Sequence, residues 1–146
     1  MFDEWKFERK LRQLQNNKRK IAAYYLSKHQ EAKKRDDREE LRSIAQVAGS
    51  ESDMAQDAID RLVTDYIKDQ AERYLVELPF FDTDNNVNWR VAEYTMPRSV
   101  LTPSAVRKIR DDIHQEIKKK WERRFIWLQP ISILISLSRG LVACNS

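Results

Sequence analysis

The first third of the chain consists of strong helix formers with apolar residues at helical spacing. Between Asp3 and about Ala48 there is neither proline nor glycine, so nothing here breaks a helix. The apolar positions are Trp5, Leu11, Leu14, Ile21 and Tyr25, followed by Leu41, Ile44 and Val47. Leu11 and Leu14 are followed by Ile21 and Tyr25 about one heptad further on, which predicts a short coiled-coil seam. The stripe fades in the charged run 31–40, which we interpret as a solvated helix or as a break between two helices.

A second amphipathic helix follows a turn signal at 49–52. Gly49 suits a helix C-terminus and Ser50 or Ser52 suits the next N-cap, so we predict a turn there. The second helix is expected from about Asp53 to Glu77, with aspartates in its first turns where the helix dipole favours anions. Antiparallel pairing with the preceding helical region would bury both stripes, so residues 1–78 are predicted to form a coiled-coil-like hairpin. The predicted packing residues are Leu11, Leu14, Ile21, Tyr25, Ile59, Leu62, Tyr66 and Tyr74.

Residues 79–101 are the least helical part of the sequence. Pro79 ends the second helix, and residues 82–86 form a polar turn. Residues 87–91 alternate like a short strand, but no partner strand is evident, so we predict an ordered loop that packs Trp89, Tyr94 and Met96 against the helices. Thr102 and Pro103 then form a good helix start. A third, basic amphipathic helix is predicted over 102–124, and nothing interrupts it before Pro130.

The remaining segment, 125–146, is apolar and is called the tail below. It follows five cations in seven positions, here called the collar: Lys118, Lys119, Lys120, Arg123 and Arg124. From Phe125 to Cys144 there are 20 residues, about the number needed to cross roughly 30 Å of hydrocarbon. Arg139 lies inside this stretch, where a charge costs about 2.5–3.5 kcal/mol at the centre and less away from it.

The collar and the tail together predict a membrane anchor. The excess of cations before the tail places residues 1–124 in the cytoplasm by the positive-inside rule. Two alternatives stay open: a tail that lies in the membrane interface, and a tail buried in the core of a soluble bundle. The predicted lipid-contacting residues are Lys118, Lys119, Lys120, Trp121, Arg123, Arg124, Phe125, Trp127 and Arg139.

Composition and charge exclude several classes of site. Two glycines, Gly49 and Gly140, are too few for a phosphate-binding or dinucleotide-binding loop. Cys144 is the single cysteine, so neither an internal disulfide nor a cysteine-based zinc site can form within one chain. The net charge of +4 is arranged as a basic first third, an acidic middle and a basic last third, so packed blocks would neutralise each other.

No catalytic, cofactor-binding or metal site is predicted. Residues 82–86 echo the start of a calcium-binding EF-hand loop, but Val87 stands where that loop needs glycine. The two histidines, His29 and His114, have no nucleophile or substrate pocket evident in the sequence. The basic cluster Lys18–Lys20 permits a nucleic-acid-binding alternative, which the acidic middle block and the absence of a binding motif disfavour.

The last part of the chain resembles a class of small uncharacterised bacterial membrane proteins. The resemblance covers about residues 89–146 and rests on these residues: Trp89, Leu101–Pro103, Val106–Arg110, Ile113, Glu116 and Trp121–Arg124, followed by an apolar end. It implies a charged helix leading into one C-terminal membrane helix, and it implies no activity. We therefore expect a mainly helical, non-enzymatic, membrane-tethered protein that binds a protein partner or itself. The alternatives are a soluble helical scaffold or oligomer subunit and a helical nucleic-acid binder.

Overall fold

The chain forms three long helices and one two-stranded sheet. The computed structural model describes the backbone of residues 3–81, 87–92 and 98–143, with side chains as far as Phe125 except that of Arg98. The elements are α1 (Glu4–Lys34), α2 (Arg38–Tyr74), β1 (Trp89–Ala92), β2 (Arg98–Leu101) and α3 (Pro103–Ala143). This architecture confirms the prediction of a mainly all-α protein with an N-terminal antiparallel hairpin and a third helix.

The hairpin turns at residues 35–37, inside the charged run. Asp36 adopts the left-handed conformation with φ 54°, and the Asp37 carboxylate accepts a hydrogen bond of 2.9 Å from the backbone N–H of Glu40. An aspartate at this position satisfies an otherwise unpaired N–H and favours a helix start. Arg35 also pairs with Glu40 at 2.8 Å across the turn. The local capping chemistry therefore places the break where the apolar stripe is absent.

The predicted turn at Gly49–Ser52 is wrong, because α2 passes through it without interruption. The Ser50 hydroxyl donates to the Gln46 carbonyl at 3.2 Å inside the same helix, so it does not cap a new one. A glycine within a helix costs about 1 kcal/mol relative to alanine. Packing of α2 against α1 along the hairpin outweighs this cost.

The two hairpin helices meet along a seam with alternating spacings of three and four residues. On α1 the seam positions are Phe7, Leu11, Leu14, Lys18, Ile21 and Tyr25, all buried or partly buried. On α2 they are Leu41, Ile44, Ala48, Glu51, Ala55, Ala58 and Leu62. Phe7 stacks on Tyr66 with ring centroids 3.8 Å apart. This spacing is that of a coiled coil, in which each side chain packs between residues of the facing helix.

A polar network crosses the seam and reaches the sheet. Lys18 Nζ donates to Gln56 Oε1 at 2.7 Å, and Gln56 Nε2 donates to Asp60 Oδ1 at 2.8 Å. Asp60 also accepts from Arg90 on β1, and both terminal nitrogens of Arg90 donate to Asp57 Oδ1 at 3.0 Å. A polar residue at a seam position specifies register, because a shifted pairing would bury it without a partner. These five residues, the polar network below, link α1, α2 and β1.

The predicted ordered loop contains a strand that does have a partner. β1 and β2 pair antiparallel, with Trp89 opposite Leu101 and Ala92 opposite Arg98. The backbone N–H of Leu101 donates to the buried Thr64 hydroxyl at 3.0 Å, which fixes the sheet on α2. Trp89 is buried as expected, whereas Tyr94, Met96 and the turn 82–86 lie outside the described residues.

α3 packs on this assembly and completes the core. Thr102 precedes its first residue, Pro103, and the Thr102 hydroxyl accepts from the backbone N–H of Ala105 at 3.4 Å, as its position before Pro103 predicts. The core joins α2, the sheet and α3 through Ile67, Ala71, Trp89, Leu101, Ala105, Ile109 and Ile113. From this core α3 continues as one helix of 41 residues, through the collar and into the tail.

Candidate functional site

The collar lies where α3 leaves the core. Ile109 and Ile113 are buried and Ile117 is partly buried against the core. From Lys118 to Phe125 every described side chain is exposed. Burial of the isoleucine stripe fixes the rotation of α3, and this in turn fixes the directions in which the collar side chains extend. The spacing of the buried isoleucines therefore determines which side of α3 carries each collar cation.

The collar carries more positive charge than its neighbours neutralise. Lys119 pairs with Glu116 at 2.7 Å, and Lys118 lies 3.9 Å from Glu122. The hydrogen bond from Lys119 lowers the pKa of Glu116 below its ordinary value, with its charge adding to the effect. Exposed pairs such as these contribute little to stability. Two carboxylates and five cations leave the segment 116–124 with a net positive charge.

Two aromatic side chains accompany the cations. Trp121 is 59% exposed and Phe125 is 62% exposed, and their spacing of four residues places them on one face of α3. Large apolar side chains beside cations are typical of the boundary between water and lipid. The side chains of Trp127 and Arg139, the other two predicted lipid contacts, lie outside the described residues.

The C-terminus of α2 and the N-terminus of α1 reach the same end of the molecule. Lys120 Nζ lies 5.2 Å from the centre of the Tyr74 ring, an attraction between a cation and an aromatic face. Tyr74 and Ile117 also line a cleft of about 420 Å³ with Glu4 and Phe7 of α1. All three helices therefore contribute to this end.

The cleft itself does not select a ligand by charge. Its rim carries Glu4 and Glu8 against Arg73 and Arg110, so acidic and basic groups offset each other. Burial raises the pKa of the Tyr66 phenol in its wall, and the charge of Glu4 raises it further. That effect favours the neutral phenol, which is the form that packs on Phe7.

The predicted packing residues lie in two places. Leu11, Leu14, Ile21 and Tyr25 are partly buried on α1, Ile59 and Leu62 are buried on α2, and Tyr66 contacts Phe7. Tyr74 packs instead against the core and the collar. Sequence reasoning missed Phe7, the most buried apolar residue of the seam on α1. The same spacing, extended four residues back from Leu11, would have found it.

The basic cluster Lys18–Lys20 is split by the fold. Lys18 donates to Gln56 within the polar network, while Arg19 and Lys20 are exposed. In a second basic cluster, residues 33–35, Arg35 pairs with Glu40. These engagements reduce the cationic surface that the hairpin could offer to phosphates.

The described residues hold no metal site and no membrane-spanning helix. Among the side chains described between Asp3 and Phe125, no group of three or more metal-ligating residues is placed to hold an ion. No helix in the part of the chain that the structure describes has both the length and the apolar character to cross a membrane. The side chains after Phe125, on which the predicted anchor depends, lie outside that part.

No family model, curated protein or solved structure matches this chain.

Proposed function

We propose that this protein is a non-enzymatic interaction protein, tethered to the inner face of a bacterial membrane through its tail. The tether consists of the collar and residues 125–146. The helical hairpin is the part that binds a protein partner or a second copy of the chain. A membrane helix at this end of the chain is also what the resemblance of residues 89–146 to small bacterial membrane proteins would imply.

One observation carries the proposal. The helix α3 runs without a break from the packed core into the tail, and between them it carries the exposed collar and the exposed aromatic residues Trp121 and Phe125. Each cation near an anionic lipid surface contributes about 1 kcal/mol. In a helix, 20 residues extend about 30 Å, which matches the hydrocarbon thickness. A cation away from the centre of a membrane helix costs less than one at the centre, because a long aliphatic stem lets such a charge extend to the headgroups.

The orientation follows from the same charges. Cations next to a membrane helix remain on the cytoplasmic side, and the collar lies on the side of the core. The hairpin, the sheet and the collar would thus face the cytoplasm. The lipid partner is anionic, and no small-molecule substrate or cofactor is part of the proposal.

The hairpin supports the interaction role. Several large apolar side chains on its outer surface are exposed: Tyr24, Leu26, Val47 and Met54. An elongated pair of helices with a hydrophobic seam and free outer faces is suited to adding a further helix.

Membrane fractionation of the full chain tests the tether. We expect the protein in the membrane fraction, resistant to a high-salt wash and released by detergent. Deletion of residues 125–146 should move it to the soluble fraction. Recovery of the full chain in the soluble fraction without detergent, unchanged by the deletion, would refute the proposal and favour a soluble scaffold with a buried tail.

A charge-matched pair of variants tests the collar. Replacing Lys118, Lys119, Lys120, Arg123 and Arg124 by glutamine should weaken retention or produce mixed orientations in a protease-protection assay. The control replaces five exposed cations of the hairpin: Lys10, Arg19, Lys20, Lys33 and Lys34. Equal behaviour of the two variants would contradict a role for the collar. Salt-sensitive nucleic-acid binding that only the control variant loses would favour the nucleic-acid alternative.

A further inference from the structure

A small cleft lies between the C-terminal end of α2 and the exposed turns of α3. It has a volume of about 220 Å³ and is lined by Tyr74 of α2 and by Ile117, Lys120, Trp121 and Arg124 of α3. It adjoins the larger cleft of about 420 Å³, because Tyr74 and Ile117 line both. The larger cleft carries acidic and basic groups that offset each other, whereas the described residues that line the smaller one include two cations and no carboxylate.

The fold holds the walls of the smaller cleft in place. Tyr74 and Ile117 are partly buried against the core. The Lys120 Nζ atom lies 5.2 Å from the centre of the Tyr74 ring, so attraction to the aromatic face holds the ammonium at the cleft. Arg124 follows Lys120 by four residues, which places both cations on one side of α3, about 6 Å apart along the helix axis. That spacing lets one phosphate group accept hydrogen bonds from both side chains.

The other three cations of the collar do not line this cleft. Lys119 pairs with Glu116 at 2.7 Å. Successive helical residues are about 100° apart around the axis, so Lys118 and Arg123 lie about 110° to either side of the middle of the α3 wall. The collar therefore contains two cations that share a cleft and three that extend in other directions.

The composition of the cleft suits the headgroup of an anionic phospholipid. Lysine and arginine are the usual donors to phosphate oxygens. Trp121 is 59% exposed, and its amphipathic ring is of the kind that lies at headgroup level. Phe125, 62% exposed, follows Trp121 by one turn toward the tail, where acyl chains would lie. A free phosphate would contact the cations alone, whereas an amphiphile would contact the cations and the apolar groups.

We propose that this cleft binds the phosphate of one anionic phospholipid between Lys120 and Arg124, with the acyl chains of that lipid along Phe125. This inference rests on the proposed tether and makes it more specific. The tether needs only a diffuse attraction between the collar and an anionic surface. The cleft predicts in addition one bound lipid molecule and unequal roles for the collar cations.

Native mass spectrometry of the full chain in mild detergent, titrated with phosphatidylglycerol, tests the cleft. We expect one lipid molecule to be retained at saturation, and phosphatidylcholine to be retained more weakly. Replacing Lys120 and Arg124 by glutamine should weaken phosphatidylglycerol binding by a factor on the order of thirty, from the loss of two cations. The matched control replaces Lys118 and Arg123 by glutamine and removes the same charge. Because salt screens cations that do not touch the ligand, it should weaken binding less than about threefold.

The two variants also control for folding and for the kind of ligand. All four residues are exposed, so both variants should melt at the temperature of the unmodified chain. Equal weakening by the two variants would show a diffuse attraction and would overturn the cleft. Displacement of the lipid by millimolar glycerol phosphate would show a site for free phosphate esters, and that result would overturn the assignment to lipid.

Failure of the cleft and failure of the tether give different results. A full chain that fractionates with membranes but retains phosphatidylglycerol no better than phosphatidylcholine overturns the cleft alone. A full chain recovered in the soluble fraction without detergent, unchanged by deletion of residues 125–146, overturns both.

Discussion

Replacing Arg90 by methionine tests whether the polar network stabilises the fold. The substitution keeps an unbranched side chain on β1 but removes the guanidinium. Arg90 donates to Asp57 through two nitrogens at 3.0 Å and also to Asp60. The hydrogen bonds to Asp60 and then to Asp57 raise the pKa of Arg90 above its ordinary value, against the opposing effect of burial. The guanidinium is therefore charged in the folded protein.

The expected cost follows from the burial of the partner. The Asp57 side chain is 4% exposed, whereas Arg90 is 36% exposed. Removing one member of a buried ion pair costs about 3–5 kcal/mol, because the remaining charge stays buried. The partial exposure of Arg90 favours the lower end, about 3 kcal/mol. For a chain of this length, that loss lowers the melting temperature by roughly 10 °C.

Thermal and denaturant unfolding of the full chain, followed by circular dichroism in mild detergent, measures the effect. The double variant Asp57→Asn with Arg90→Met should recover part of the loss, because it also removes the buried carboxylate charge that Arg90 pairs with. Arg35→Met is the control: its pair with Glu40 is exposed, so it should cost less than about 1 kcal/mol. A loss for Arg90→Met as small as that of the control would refute the reasoning.

Three further predictions concern the core, the hairpin turn and alkaline pH. Ile109→Ala should destabilise the fold by about 3 kcal/mol by leaving a cavity, while Val47→Ala, at an exposed position, should change the unfolding free energy by less than 0.5 kcal/mol or so. Asp37→Ala should cost about 1 kcal/mol and speed hydrogen exchange at the Glu40 amide. The pKa of Tyr66 is raised by burial, so the folded state holds the phenol proton more tightly than the unfolded chain. Stability from this group is complete below pH 10, the ordinary tyrosine value, and is lost as pH rises through the folded pKa. Alkaline unfolding midpoints should show the effect, and Tyr66→Phe should remove it.

The sequence predicted the elements whose signals are periodic. The apolar stripe of α1 and the Thr102–Pro103 start of α3 both have strong local signatures. The hairpin turn was misplaced because a glycine–serine cluster is a strong turn signal only when packing does not compete. Here the seam extends on both sides of Gly49, so α2 continues.

The rest depended on contacts between distant residues. β2 is four residues long, and its pairing and its anchor on Thr64 join parts of the chain far apart in sequence. Likewise, the sequence alone suggests that Lys18 is one cation of a surface cluster. Only the antiparallel packing of α1 on α2 places it against Gln56. The cations of the collar could be identified from sequence, whereas the left-handed conformation of Leu75 could not, because leucine is not a residue that favours it.

In the proposed tether, the continuity of α3 couples the rotation of the hairpin about the helix axis to the orientation of the tail. Because each helical residue advances about 1.5 Å and turns about 100°, one residue inserted between the core and Phe125 would swing the hairpin by more than a quarter turn about the helix axis. A four-residue insertion would nearly restore the original orientation of the hairpin and would move it about 6 Å along the helix axis. A partner that binds one side of the hairpin would therefore lose its binding face with the one-residue insertion and keep it with the four-residue insertion.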